Sequence, residues 1–202
     1  MFTVNHQTNR ISPVKTKRFS ELGFTERKHL QEWLAHEPSA LGEELLIIQK
    51  EFDGFDDTRE RLDLLALDKD GNLVIIENKL DDSGRDVVWQ ALKYASYCAS
   101  LTKAQIVEIY QQYLDRYQPV TREVDPLNVP QIAELNASQR ICEFLDAPDL
   151  DEVKLNLGNS QRIMLVAANF RKEVTSTALW LLGQGISIAC FKITSNQRLR
   201  DE

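Results

Sequence analysis

The sequence predicts a single α/β domain built on a central mixed β-sheet with helices on both faces. Two predicted strands, at residues 61–67 and 73–80, are apolar on both sides, as strands covered on both faces are. Near the end of the chain, residues 162–193 alternate strand, helix and strand with short connections, which is typical of an α/β unit. With 202 residues, of which 43% are hydrophobic, the chain can form one ordinary core.

An N-terminal helix and a first core strand precede this pair of strands. The segment "TERKHLQEWLAHEP" places Leu30 and Leu34 on one helical face behind Thr25, a typical N-cap residue. The segment "LLIIQKEF" fits a helix or a strand by its period, but its length and the glycine turn that follows it favour a strand.

Helices are predicted for much of the second half. The segment "GRDVVWQALKYASYCASL" has small and apolar residues at helical spacing, which predicts a helix with one buried face. We expect a helical insertion over residues 103–157, with helices at 103–117 and 131–145 on either side of a proline-rich loop. The predicted order is therefore helix, three strands, helix, helical insertion, strand, helix and strand.

Composition excludes several classes of protein. No run approaches the roughly 18 apolar residues of a membrane span, and the N-terminus lacks the apolar region of a signal peptide, so we expect a cytoplasmic protein. The three cysteines stand far apart without paired spacing, which argues against a disulfide framework or a zinc knuckle. The three histidines lack the H-x-x-x-H spacing of a zinc protease.

Charge is distributed unevenly along the chain. The net charge is −7, and residues 51–86 alone carry twelve acidic and five basic residues. Residues 1–24 form a predicted basic arm, followed by a single domain at 25–202. The arm could contact a phosphate backbone, although a solvated terminus explains its composition as well. Its candidate nucleic-acid-binding residues are Arg10, Lys15, Lys17 and Arg18.

Three charged residues, Asp63, Glu77 and Lys79, interrupt the apolar strands of the predicted hairpin. Strand alternation places Glu77 and Lys79 on one face. A two-residue turn would set Asp63 opposite Asn78, whereas a three-residue loop ending at Gly71 would set it opposite Glu77. The apolar pattern fits both registers, because both faces of the hairpin are apolar.

Two chemical interpretations of these charges stay open from residue spacing alone. Facing carboxylates would stand about 5 Å apart at Cβ, and their repulsion would reach on the order of several kcal/mol unless a proton or a cation lies between them. A hard divalent cation such as Mg²⁺ would suit these oxygens. The alternative is an ordinary ion triad at the sheet edge, in which Lys79 bridges the two acids.

The segment "LDLLALDKDGNLVIIENKL", followed by "DVVWQALKYASY", resembles the PD-(D/E)xK nuclease superfamily, and in particular its endonuclease NucS-like branch of bacterial proteins. The resemblance covers residues 25–101, and "RIMLVAANFRKEVTSTALWLLGQGISIACFKI" is similar to the closing strand, helix and strand of the same proteins. It implies a restriction-endonuclease-like core with the order αβββαβ.

The resemblance also implies roles for individual residues. Asp63 and Glu77 would bind Mg²⁺ or Mn²⁺ together with the Asn78 main-chain carbonyl, and Lys79 would serve the attacking water.

Further site residues come from the same resemblance. The Gln-x-x-x-Tyr pattern of the family's next helix is matched by Gln90 and Tyr94, one turn apart on one face. An acid upstream of the first acidic strand completes the family's metal site, and we expect it at Glu43, with Glu44 as the alternative.

The implied function is a Mg²⁺-dependent nuclease that hydrolyses DNA phosphodiester bonds. A homodimer is a further hypothesis, because duplex-cutting enzymes of this kind commonly pair two active sites. Two alternatives stay open: a nucleic-acid-binding module of the same fold that does not cut, and a regulatory or interaction domain in which the charged triad is structural.

Overall fold

The computed structural model describes residues 2–5, 7–13, 17–54, 60–117 and 136–195. Within them the strands form a small antiparallel hairpin and a five-stranded sheet. The hairpin consists of Phe2–Asn5 (β1) and Arg10–Pro13 (β2). The strands of the large sheet, in their spatial order, are Leu46–Phe52 (β3), Leu62–Leu67 (β4), Leu73–Asp82 (β5), Arg162–Asn169 (β6) and Ile188–Lys192 (β7).

The large sheet is mixed, as predicted. Strands β3, β4 and β5 pair antiparallel, whereas β5, β6 and β7 pair parallel. The first helix begins as a π-type turn at Glu26–Leu30 and continues as α1, and the later helices intervene between β5 and β7 in the predicted order. The helices are Gln31–His36 (α1), Val87–Cys98 (α2), Lys103–Tyr117 (α3), Ala137–Phe144 (α4) and Lys172–Gly183 (α5).

Strand β4 is buried along its whole length. All six of its residues are buried, and so are the first six of β5. A strand that is buried throughout must be covered on both faces, because its side chains alternate between them. Each fully buried leucine in these strands contributes about 1.5–3 kcal/mol, so the strands that carry the charged residues form a rigid frame.

A three-residue loop joins β4 to β5. The Asp68 N–H donates to the Asn72 carbonyl at 3.1 Å, which pairs these two residues across the loop. The Asp68 Oδ1 accepts the N–H groups of Asp70 and Asn72, each at 2.9 Å, and Gly71 has φ 78°, in the left-handed region that favours glycine. Of the two turns considered from the sequence, the structure therefore contains the longer one.

The predicted helical insertion contains two helices among its described residues. Helix α3 has the bounds predicted for it, and α4 occupies the second half of the helix predicted at 131–145. It begins after Asn136, whose side chain accepts the Gln139 N–H while the Gln139 side chain accepts the Asn136 N–H. The first part of that prediction, together with the proline-rich loop, lies outside the described residues.

No helix in the described ranges combines the length and the apolar character that a membrane span requires.

Replacing Gly71 by alanine tests the geometry of the loop. Gly71 and Gly158 both have positive φ, so alanine should destabilise either site by about 1–2 kcal/mol through backbone strain. A Cβ at Gly71 would also lie 2.2 Å from the Lys154 carbonyl oxygen, whereas a Cβ at Gly158 would meet nothing within 4 Å. We therefore expect urea unfolding to show a larger loss for Gly71→Ala than for Gly158→Ala; equal losses would contradict the close approach.

Candidate active site

The register of β4 and β5 places Asp63 opposite Glu77. The strands are antiparallel and Leu64 pairs with Ile76, so Asp63, which precedes Leu64, faces Glu77, which follows Ile76. Asp63 is 8% exposed and Glu77 is 2% exposed. The Asp63 Oδ2 accepts the Asn78 N–H at 2.8 Å, while the buried Glu77 Oε1 has no hydrogen-bond partner among the described residues.

Burial changes the protonation of both acids. The pKa of Glu77 is raised to about 8, mainly by burial, and the neighbouring Asp63 carboxylate adds to the shift. Burial also raises the pKa of Asp63 to about 6, against the opposing effects of the Asn78 N–H and the Lys79 ammonium. The pair therefore holds a proton more readily than two exposed carboxylates would.

A further acid, Glu51, lies across from Asp63 on the other side of β4. The pairs on either side of it in β3 and β4 set this register, and its negative charge contributes to the raised pKa of Asp63. Glu51 has φ 50°, an uncommon value for a residue other than glycine. Its Oε1 lies 3.2 Å from the Arg27 Nε. Three acids thus follow one another across three neighbouring strands.

Lys79 lies between Glu77 and Glu26, an acid from the π-type turn before α1. The Lys79 Nζ is 3.5 Å from the Glu26 Oε1 and 3.9 Å from the Glu77 Oε2. The other Glu26 oxygen accepts the Leu80 N–H at 3.1 Å. The pairing of β5 with β6 shifts by one residue between Lys79 and Asp82, and bulges of this kind are common beside active sites.

Packing of the N-terminal segment holds Glu26 in place. Phe24 and Trp33 pack edge to face with ring centroids 5.0 Å apart, on either side of the turn that carries Glu26. Gln31, at the start of α1, is buried and donates from its Nε2 to the Asp63 carbonyl oxygen at 2.9 Å. The segment is thereby attached directly to the strand that carries the first acid.

Tyr94 lies close enough to the two acids to feel their charges. It is buried, and the charges of Glu77 and Asp63 add to the burial that raises its pKa. Its hydroxyl donates to the Arg61 carbonyl oxygen at 3.1 Å, just before β4. Gln90 precedes it by one turn on the same side of α2 and is partly exposed.

Glu43 does not lie beside Asp63 and Glu77. Its two carboxylate oxygens bind Arg162 at 2.6 and 2.7 Å, and Arg162 pairs with a residue of β5 that is three positions before Glu77. At 3.3 Å per residue this separation is roughly 10 Å. The alternative acid, Glu44, is exposed and pairs with Lys69 at 3.1 Å.

The expected position of the upstream acid is therefore wrong. Arg162 holds Glu43 at the opposite end of the strands. There Arg162 also donates to the Asp68 Oδ2 at 2.9 Å. The acids that the structure brings to Asp63 are instead Glu26 and Glu51.

The cations of the predicted basic arm lie in different places. Arg10 is exposed on β2 of the small hairpin. Lys17 and Arg18 are exposed beside the end of β5, because the next residue, Phe19, donates its N–H to the Asp81 Oδ1 at 3.0 Å. Lys15 lies outside the described residues.

The site offers hard oxygen donors without a preformed metal cage. In the described part of the chain, no three side chains of His, Cys, Asp or Glu are grouped so that they could hold a metal ion. Mg²⁺ is commonly bound by only one or two carboxylates, with water and substrate phosphates as its other ligands. Asp63 and Glu77, with an unpartnered buried oxygen on Glu77, fit such a cation.

Comparison with known proteins places few constraints on this site. No protein-family model matches the chain, and no curated protein matches it. Among solved structures, a complex of EndoMS with dsDNA has 15% sequence identity and a TM-score of 0.40, with 90% of this chain and 47% of that chain covered. A repair endonuclease from Pyrococcus abyssi has 14% identity and a TM-score of 0.36, with 90% and 50% covered.

This chain thus spans about half the length of the solved structures that it matches. Similarity at this level does not establish an activity, so function has to be inferred from the residues of the site.

The raised pKa of Glu77 predicts a loss of stability as the pH rises. The pKa is 4.5 for an ordinary glutamate and about 8 in the fold, so between these values the folded protein binds a proton that the unfolded chain has released. In EDTA, the free energy of unfolding should therefore fall from about pH 5 to about pH 8. The free energy of unfolding of Glu77→Gln should fall less over this range, so the variant should be more stable than wild type at about pH 8. Urea unfolding followed by tryptophan fluorescence measures both slopes, and identical slopes would contradict the assignment.

Proposed function

We propose that this chain is a divalent-metal-dependent nuclease that hydrolyses phosphodiester bonds in DNA. The observation that carries the proposal is the buried, face-to-face pair of Asp63 and Glu77 beside Lys79. Apolar residues of similar size would stabilise these positions better than charged ones. Strongly perturbed acids beside a cation are typical of functional sites, and DNA as the substrate follows from the sequence resemblance.

Asp63 and Glu77 would hold the metal, Mg²⁺ or Mn²⁺. When bound, such an ion polarises the scissile phosphate and lowers the pKa of a coordinated water. The two carboxylates would then lose the repulsion that makes their burial unfavourable, and the unpartnered Glu77 Oε1 would gain a ligand.

Lys79 would act on the reacting groups. Its ammonium is half-buried and is held between two carboxylates on the same side as Glu77. From there it can orient the attacking water and stabilise the negative charge that develops on the phosphate.

Glu26 and Tyr94 would act as positioning residues. One Glu26 oxygen is fixed by the Leu80 N–H, so the other is held towards Lys79. Tyr94 is bonded to the backbone just before β4, and this bond fixes the strand that carries Asp63. A catalytic role for Gln90, and a homodimer with two active sites, stay predictions.

One observation favours a structural role instead. Lys79 already has two acidic neighbours, so the cluster could be an ion triad that a proton on Glu77 makes neutral, because the pKa of Glu77 is raised to about 8. In that case removal of Glu77 would change stability without changing any reaction.

Cleavage of a panel of single-stranded, duplex and forked DNA with Mg²⁺ or Mn²⁺ tests the nuclease proposal. We expect the wild-type protein to cut at least one substrate, Lys79→Met to cut about 10²–10⁴-fold more slowly, and Glu77→Gln to show background cleavage only. Glu43→Gln is the matched control, because it removes a carboxylate from the Arg162 pair and should change the melting temperature but not the cleavage rate. Cleavage that persists in Glu77→Gln, or a wild-type protein that cuts nothing on the panel, would contradict the proposal.

A further inference from the structure

A basic pocket lies at the C-terminal ends of the parallel strands β5, β6 and β7. Its volume is about 210 Å³. Such strand ends are where open α/β sheets commonly bind ligands. Its polar and charged lining includes Lys17, Arg18, Asp81, Asn169, Lys192 and Thr194.

Three exposed cations, Lys17, Arg18 and Lys192, line this pocket. Within the described ranges, no ion pair shorter than 4 Å involves Lys17, Arg18 or Lys192. The pocket contains one carboxylate, Asp81, and its Oδ1 already accepts the Phe19 N–H. Three cations against one acid is unusual in a chain of net charge −7. A bound anion would give these cations a partner of opposite charge.

The walls of the pocket are tied together by bonds between distant parts of the chain. The Ser195 hydroxyl donates to the Lys17 carbonyl oxygen, which joins the segment after β7 to the segment before α1. Phe19, next to Arg18, is buried and packs against Trp33 with ring centroids 6.2 Å apart. The cations are thus carried by a backbone that is held in place.

Strand register connects this pocket with the candidate active site. Lys79 on β5 pairs with Ala167 on β6, and Ala167 pairs with Lys192 on β7. Residues paired in this way share a face of the sheet, so both lysines lie on one face, on either side of the buried Ala167. Two strand spacings separate their Cα atoms by roughly 10 Å, a distance that one DNA strand spans within a few nucleotides.

We propose that Lys17, Arg18 and Lys192 form a subsite that binds an internal backbone phosphate of the DNA strand, a few nucleotides from the bond at Lys79. The subsite rests on the proposed function, which supplies DNA as the ligand. An internal phosphate is favoured over a terminal one because a continuous DNA strand can contact Lys79 and Lys192 at the same time. The subsite also explains how an acidic chain holds a polyanion: the acids bind through the metal and the basic pocket binds the backbone directly.

Salt-dependent binding measures this contact. Fluorescence anisotropy would follow labelled single-stranded and duplex DNA without terminal phosphates, in EDTA, across a range of salt concentrations. Each phosphate contact that is lost should reduce the slope of log K against log salt by about 0.9 for duplex or about 0.7 for single strands. We expect this reduction and a raised Kd for Lys17→Ala, Arg18→Ala and Lys192→Ala. The matched control is Lys154→Ala, an exposed lysine beside the β4–β5 loop at the other end of the sheet, which should keep the wild-type slope.

Two results would overturn the subsite: wild-type slopes in all three pocket variants, or an equal change in Lys154→Ala. A dependence on Lys192 that appears only when the strand carries a 5′-phosphate would overturn the choice of an internal phosphate. Because EDTA prevents metal-dependent cleavage, these measurements do not depend on nuclease activity. Cleavage with unchanged slopes would contradict the subsite alone, whereas reduced slopes in a protein that never cuts would contradict the proposed nuclease alone. Melting temperatures confirm that each variant is folded.

Discussion

The face-to-face placement of Asp63 and Glu77 depends on one loop. The Asp68 carboxylate accepts two backbone N–H groups inside the β4–β5 connection, and this fixes a three-residue loop and hence the register of the two strands. A shift of one residue would turn every side chain of one strand to the opposite face. Arg162 holds the second Asp68 oxygen, so the residues at one end of the strands determine which groups meet at the other.

The site that results is unfavourable for stability and suited to chemistry. Two acids are buried where apolar residues would pack better, and the buried Glu77 Oε1 has no hydrogen-bond partner among the described residues. A proton or a cation is therefore needed to relieve the repulsion between the two carboxylates. The surrounding strands can hold this arrangement because they are buried throughout. The buried apolar strands therefore hold the two acids at a separation that the acids would not adopt alone.

The sequence was sufficient to predict the strands of the large sheet and most of the helices, because strand and helix periods and the position of glycine are local properties. It did not predict the hairpin of β1 and β2. It could not choose the register, since both faces of the hairpin are apolar; the choice depends on the Asp68 side chain, which a pattern of hydrophobicity does not describe. Glu43 was expected at the site from its position before β3, but the pairing with Arg162, distant in the chain, holds it elsewhere.

The residues that sequence reasoning missed depend on tertiary contacts. Glu26 appears in the sequence only as an acid in the first turn of a helix, and it reaches Lys79 because the N-terminal segment packs on the end of β5. Glu51 reaches its place through a left-handed backbone conformation that its residue type does not signal. Lys192 joins Lys17 and Arg18 only because β7 lies parallel to β6.

Binding of Mn²⁺ in the absence of DNA tests most directly whether Asp63 and Glu77 form a cation site. Electron paramagnetic resonance of free Mn²⁺ would be followed during titration of wild type, Asp63→Asn, Glu77→Gln and the control Glu43→Gln. We expect wild type and Glu43→Gln to bind alike, and the other two variants to bind at least about tenfold more weakly, because each has lost a hard anionic oxygen ligand. Equal binding by wild type and Glu77→Gln, or no binding by wild type, would contradict the account.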